Sequence, residues 1–295
     1  MEGILFSRFK RALVLVFILF TTGGFSQALF QFGEKSSEQN ENRPVNQRFN
    51  PFFKVELAAL AADHIDISYK SFDYQILGGI CFGYAKYERS TNRTVTLNEI
   101  YTRFAYNPAS INGIKPDEEK IRTNLRSFGI GVRRGFGYQM GAVALAPYHQ
   151  IELTGNMLEF EQPLPIFHQN QASALERYPG AVRLGLTYGG GASLNLLQST
   201  SIHGGYEAAI VYPRWLFMQW LSSFLIQQIG LSVTANFGAE LMNTMPFFGP
   251  FVYWVLNNGL SLLYVSQMRE NMNWPFDSEA PLTFLTAKIG VQIIF

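Results

Sequence analysis

Charge is scarce in this sequence. Only 15% of its residues are Asp, Glu, Lys or Arg, against roughly 25% in soluble domains. The two signs nearly cancel at +1, and no basic cluster stands out, so nothing argues for a nucleic-acid partner. Cysteine is scarcer still. Cys81 alone can build neither an internal disulfide nor a multi-cysteine metal site. It lies in an apolar strand-like run, as a small buried thiol would, and too far from the N-terminus to carry a lipid anchor. His64, His149 and His168 are scattered without ligand spacing, so neither a metal nor a cofactor is expected. Gly189–Gly191 has no Lys-Ser/Thr after it, which excludes a phosphate loop.

Aromatics, by contrast, are abundant at 15%, with 26 Phe and 14 Tyr. Mean hydropathy is only +0.04, low for a helical membrane protein. Few charges, many aromatics and a middling hydropathy suit strands with one apolar and one polar face. Residues 228–241 show that pattern most strictly. Ile229, Leu231, Val233, Ala235, Phe237, Ala239 and Leu241 occupy odd positions. Gln228, Gly230, Ser232, Thr234, Asn236, Gly238 and Glu240 occupy the even ones. On an extended chain this gives one apolar and one polar or small face. Its length exceeds that of a typical soluble strand and suits a tilted membrane-crossing one. Two other readings compete. A soluble β-sandwich also alternates. Trp215–Ala239 and Leu241–Met268 lack charge, the usual signal of a spanning helix. Pro246, Gly249, Pro250 and Asn257-Asn258-Gly259 count against helices there.

The first 28 residues have the form of an export signal: basic Arg8, Lys10 and Arg11, apolar Ala12–Phe20, then small residues before cleavage after Ser26 or Ala28. Residues 29–50 read as a flexible periplasmic lead-in, and 51–295 as the folded body. Alternation begins at Phe53, resumes at Ile65–Tyr69 and again over Tyr74–Glu88. Arg89–Glu119 reads as a long loop, in part extending strands beyond the membrane over Thr94–Phe104. Strands follow at Ser127–Arg133 and Tyr138–Leu153, then a loop over Thr154–Gly180. Residues 181–196 alternate well, with Leu184, Leu186 and Tyr188 opposite Arg183, Gly185 and Thr187. Thr200–Tyr212 is the next run. Pro213–Gln227 has a broad apolar helical face, fitting a short amphipathic helix at the membrane interface or an aromatic girdle on extended chain.

The chain closes with Leu285, Ala287, Ile289, Val291, Ile293 and Phe295 on one face. An amphipathic last strand ending in Phe resembles the C-terminal signal of bacterial outer-membrane β-barrel proteins. That resemblance implies an all-β, antiparallel up-and-down transmembrane barrel, inserted into the cell outer membrane by barrel-assembly machinery and surrounded by outer-membrane lipid. Such barrels have even strand numbers, short periplasmic turns and long outer loops. Counting 53–60 and 65–71 separately, and one strand within 251–268, predicts ten strands. Eight is the alternative.

The polar faces then point Lys54, Glu56, Asp66, Lys70, Arg133, Arg183, Glu207, Glu240 and Lys288 into the lumen. Unpaired charges there are costly, so these groups are expected to pair and fill it. Arg183 and Lys288 should lie among Glu207 and Glu240, with Arg133, Lys54 and Glu56 in the same network. A conducting lumen is the alternative. Ser201, His203 and Glu207 share one strand face and are the right groups for acyl transfer, as in the lipid-modifying hydrolases some outer-membrane barrels are. Spread over roughly 20 Å of strand, they leave Glu207 unable to orient His203, so no catalytic residue is assigned. The expectation is a non-enzymatic barrel whose outer loops serve a structural or binding role toward an unknown ligand.

Overall fold

In a computed structural model, which describes residues 49–67, 72–89, 94–107, 120–160, 172–196 and 199–295, the chain forms one closed barrel of eight strands. These are β1 (Asn50–Asp63), β2 (Gln75–Arg89), β3 (Thr94–Asn107), β4 (Thr123–Met140), β5 (Val143–Phe160), β6 (Arg183–Leu196), β7 (Thr200–Val211) and β8 (Leu282–Ile294). Each pairs antiparallel with its sequence neighbour, and β1 closes on β8 through partners such as Lys54 with Gln292 and Ala58 with Lys288. The sheet therefore has no edge, the form in which a β-structure can satisfy its backbone inside lipid. Residues 1–28, expected to be an export signal, and most of the expected lead-in (29–50) lie outside the described residues.

The start of β1, the end of β8 and the short links after β2, β4 and β6 share one end of the barrel. Short turns mark the periplasmic end of such barrels and long connections the outer end. The segments 64–74, 108–122, 161–182 and 212–281 are thus on the outer side. The third contains a single helical turn, α1 (Ala172–Leu175), and the fourth holds two long helices, α2 (Phe217–Thr244) and α3 (Gly249–Met268).

Ten strands become eight for three reasons. Residues 65–67 form no strand, because the chain turns at once through a bridge between His64 and Ile67; 68–71 lie outside the described residues. The supposed loop 89–119 contains a full strand, β3. Its outward face carries Thr96, Asn98 and Thr102, so it shows no one-sided apolar pattern. Lastly, residues 228–241 are helical, inside α2, and 251–268 belong to α3. With β7 already bonded to β8 along Thr200–Val211, no ladder remains for further strands to join. The short helix foreseen at 213–227 is the first part of α2. β1 begins at Asn50, and the loop expected from Thr154 gives way to strand as far as Phe160.

The hairpin of α2 and α3 packs along the outer wall of β4–β7. Outward-facing Leu186, Tyr188, Ala208 and Ile210 are consequently buried. On β1, β2 and β8 the corresponding residues, among them Val55, Leu57, Ile80, Phe82, Ile289 and Val291, stand exposed as an apolar belt. At the outer mouth, Leu60, Leu77, Leu125, Leu158 and Phe284 of the strands enclose Ile67, Phe72, Ile121, Leu175 and Tyr178 from the connections. This apolar cluster caps the barrel.

Candidate functional site

Below the cap the lumen is ionic. Four cations (Lys54, Arg103, Arg133 and Lys288) and four anions (Glu56, Glu99, Glu152 and Glu207) are buried there. Strand alternation places them: each lies at an inward position, and their register brings them to one level of the barrel. Arg103 reaches Glu152 with Nε at 3.0 Å and Glu207 with Nη1 at 2.7 Å. Arg133 donates to Glu99 and, through Nε at 3.1 Å and Nη2 at 2.9 Å, to Gln150 Oε1. Lys288 pairs with Glu207 and lies 3.4 Å from Glu56. Lys54 Nζ is 2.7 Å from Glu56, close enough for an ion pair without an aligned hydrogen bond, and 5.3 Å from the Tyr101 ring centre.

Neutral groups finish the layer. Gln292 Nε2 donates to Glu99 at 3.0 Å and Tyr101 Oη to Glu152 at 3.2 Å. The Arg133 guanidinium stacks 4.6 Å from the Tyr148 ring centre and 5.2 Å from that of Tyr101. Small residues supply the space. A side chain at Gly131 would strike the Tyr101 ring, and one at Gly129 would strike the Glu152 carboxylate. Inward Gly189 and Gly191 likewise face Gln150, Glu207 and Tyr148. A four-to-four balance in a region closed to water neutralises charges that would each be costly alone.

Of the lumen residues expected from sequence, Lys54, Glu56, Arg133, Glu207 and Lys288 meet in this layer. Two do not. Arg183 sits at the outer start of β6 and donates to the carbonyls of Tyr178 at 3.3 Å and Pro213 at 2.8 Å, tying the rim to the α2 approach. Glu240 is exposed near the end of α2, because the segment assigned as a strand is helical. Asp66 is exposed in the turn after β1, and Lys70 lies outside the described residues. Glu99, Arg103 and Glu152 take the vacated places. The first two were hidden in a segment read as loop. Glu152 was available as an inward position of the Tyr138–Leu153 run, on the face of Ala144, Ala146 and Tyr148.

Ser201, His203 and Glu207 do share one inward face, all buried. Glu207 is engaged by Arg103, Lys288 and Gln150. Neither nitrogen of His203 has a hydrogen-bond partner, and the nearest side-chain oxygen to Ser201 Oγ among the hydrogen-bonded pairs is Tyr87 Oη at 3.4 Å. The three do not form a relay. On the lipid side, a groove of about 640 Å³ crosses β2–β5, floored by Gly78, Gly79 and Ala105 and flanked by Phe104 and Phe128. Arg126 is its single charged lining residue, so no nucleophile and base converge there. Among the described residues no group of three or more His, Cys, Asp or Glu could hold a metal ion.

No family model matches the chain, and no curated protein matches it. Solved structures that resemble it include three barrels. Neisserial surface protein A (NspA) is 10% identical, with 83% of this chain and 97% of that one covered and a TM-score of 0.35. The outer membrane enzyme PagL is 7% identical, with 81% and 98% covered and a TM-score of 0.38. Ail of Yersinia pestis, solved with the heparin analogue sucrose octasulfate, is 8% identical, with 84% and 99% covered and a TM-score of 0.33. Values this low carry no argument about what the present chain does, and its barrel plan rests on its own strand pairing. Closed antiparallel pairing of eight strands, an apolar outer belt and a charge-paired lumen are the build of a barrel that crosses a membrane by its strands.

Proposed function

We propose that the protein is a non-enzymatic outer-membrane barrel whose lumen is filled by its own side chains and which serves a structural or binding role at its surface. The buried four-to-four ion layer beneath an apolar cap carries this reading. Eight strands enclose a space just wide enough for side chains to fill, and here paired long side chains cross it from β3, β4, β5 and β8. The scattered Ser201, His203 and Glu207 give no support to acyl transfer, and the capped mouth gives none to solute passage. Liposomes loaded with the purified protein should therefore swell in isotonic small sugars no faster than protein-free ones. Incubated with labelled phospholipid or lipopolysaccharide, the protein should release no fatty acid. Sugar entry, or release abolished by Ser201→Ala, would overturn the proposal.

A further inference from the structure

The α2–α3 hairpin departs from a water-soluble helix pair by carrying a long apolar stripe on its exposed side. Polar Ser223, Gln227, Asn257, Asn258 and Ser261 are buried beside apolar Trp220, Phe224, Leu231, Tyr253, Tyr264 and Val265. On α2 the exposed stripe is Leu225, Ile226, Ile229, Val233 and Phe237, and on α3 it includes Phe251, Val255, Leu262 and Leu263. The buried polar groups act as fasteners. Asn258 donates to the Tyr148 carbonyl at 3.4 Å and accepts from Tyr206 Oη at 3.2 Å, while Tyr188 Oη donates to Gln227. Gly190 has no side chain because Asn258 occupies that space. Between the helices, Thr234 donates to Asn257 Oδ1 at 3.1 Å, Gly230 faces Tyr264 and Gly238 faces Tyr253. Small residues at helical spacing with polar ties are how helices pack where the hydrophobic effect does not drive them together.

The hairpin also runs the height of the wall. It leaves the outer end of β7. Its tip reaches the periplasmic end of β4, where Tyr138 Oη donates to the Phe247 carbonyl. The 20 residues of α3 span about 30 Å at 1.5 Å each, which matches the hydrocarbon thickness of a bilayer. Charges stand only at the two ends: Arg214, Arg269 and Glu270 above, Glu240 below, all exposed. No helix among the described residues is long and apolar enough to cross a membrane on averaged hydropathy. Buried Ser223, Gln227, Asn257, Asn258 and Ser261 lower that average in part, together with exposed Asn236, Glu240, Ser266 and Gln267.

From these observations we propose that the hairpin is immersed in the bilayer, with its outward stripe in contact with lipid acyl chains. The stripe continues the apolar belt of β1, β2 and β8 around the remaining wall, and the flanking charges fall where headgroups begin. The membrane unit is then eight strands and two helices, and Arg134 and His149, outward positions of β4 and β5, are screened from lipid by α3. His149 lies 5.6 Å from the Tyr253 ring centre, and Phe136 meets the same ring edge-on at 4.7 Å.

The test uses the sequence as it stands, because all four tryptophans, Trp215, Trp220, Trp254 and Trp274, fall in or beside the hairpin. A variant with Trp215→Phe, Trp220→Phe and Trp274→Phe keeps only Trp254. Folding would be verified by the altered gel migration of unheated barrel. In phosphatidylcholine vesicles brominated in mid-chain, Trp254 emission should fall at least about twofold relative to unbrominated vesicles, because its indole lies within the hydrocarbon. Aqueous iodide should leave it unchanged. Iodide quenching would place the hairpin in water and overturn the proposal. Protection from both quenchers would do so too, by showing that a second copy or another protein covers the stripe. A Val233→Cys variant gives an independent reading: it should resist a membrane-impermeant maleimide, Cys81 being buried, and rapid modification would count against lipid contact. None of these readouts depends on whether the lumen conducts.

Discussion

Arg133 shows what one residue does in this lumen. Its guanidinium is fully buried, gives two hydrogen bonds to Gln150 and one to Glu99, and lies over two tyrosine rings. Arg133→Leu would leave Glu99 with Gln292 alone. Breaking a buried pair from one side costs about 3–5 kcal/mol, which should appear as a lower urea midpoint for the barrel in detergent micelles. Adding Glu99→Leu should recover part of the loss, because the orphaned charge goes with it. A single variant as stable as the parent would mean that water reaches the layer. His64 belongs to the outer turn and behaves differently. Burial lowers its pKa, against the opposing pull of Asp66 and Asp63, and its Nδ1 accepts from the Asp66 amide at 3.2 Å. The folded chain thus favours neutral imidazole. Its contribution is present above the unfolded value of about 6.5 and is lost as pH falls below that. Melting temperature should decline between about pH 7 and about pH 5, and His64→Gln should flatten the decline.

Elements differ in how openly the sequence announces them. β1, β6, β7 and β8 declare themselves because one face is apolar and the other polar. In β3, Asn98 and Thr102 on the outward face blur that contrast, so its Glu99 and Arg103 were read as loop. The strict alternation of 228–241 misleads for a nonlocal reason: whether a strand forms depends on a free ladder, and β7 and β8 leave none. The same glycines that suit a crowded lumen suit a helix seam, since Gly230, Thr234 and Gly238 recur every four residues. The supposed helix breakers are accommodated as well. Pro250 sits in the first turn of α3, and Asn257 and Asn258 return hydrogen bonds to the carbonyls of Tyr253 and Trp254, each at 2.9 Å. The charge-free runs from Trp215 and Leu241 coincide with α2 and α3. Gly230→Leu and Gly238→Leu should force the helices apart, costing about 1–3 kcal/mol each and opening the hairpin to protease in detergent. Ile229→Leu, on the exposed stripe, should do neither. Equal protease resistance in all three variants would rule out the seam.

At the scale of the whole molecule, closure joins the first and last strands. β1 pairs with β8 over its length, and the Phe295 amide donates to the Pro51 carbonyl at 2.9 Å. Deleting Phe295 should lower the yield of heat-modifiable barrel in the outer membrane, and an unchanged yield would remove the terminal residue from the assembly signal. The class of fold was open to sequence reasoning because alternation in β1, β6, β7 and β8 reports on it locally. The composition of the filled lumen was not, because it depends on the register of all eight strands. That lumen is the centre of the account. If its paired ions and outer cap fill it as proposed, the purified protein in planar bilayers should show no stable single-channel steps at either polarity. Reproducible, ion-selective steps would contradict the filled lumen and put transport in its place.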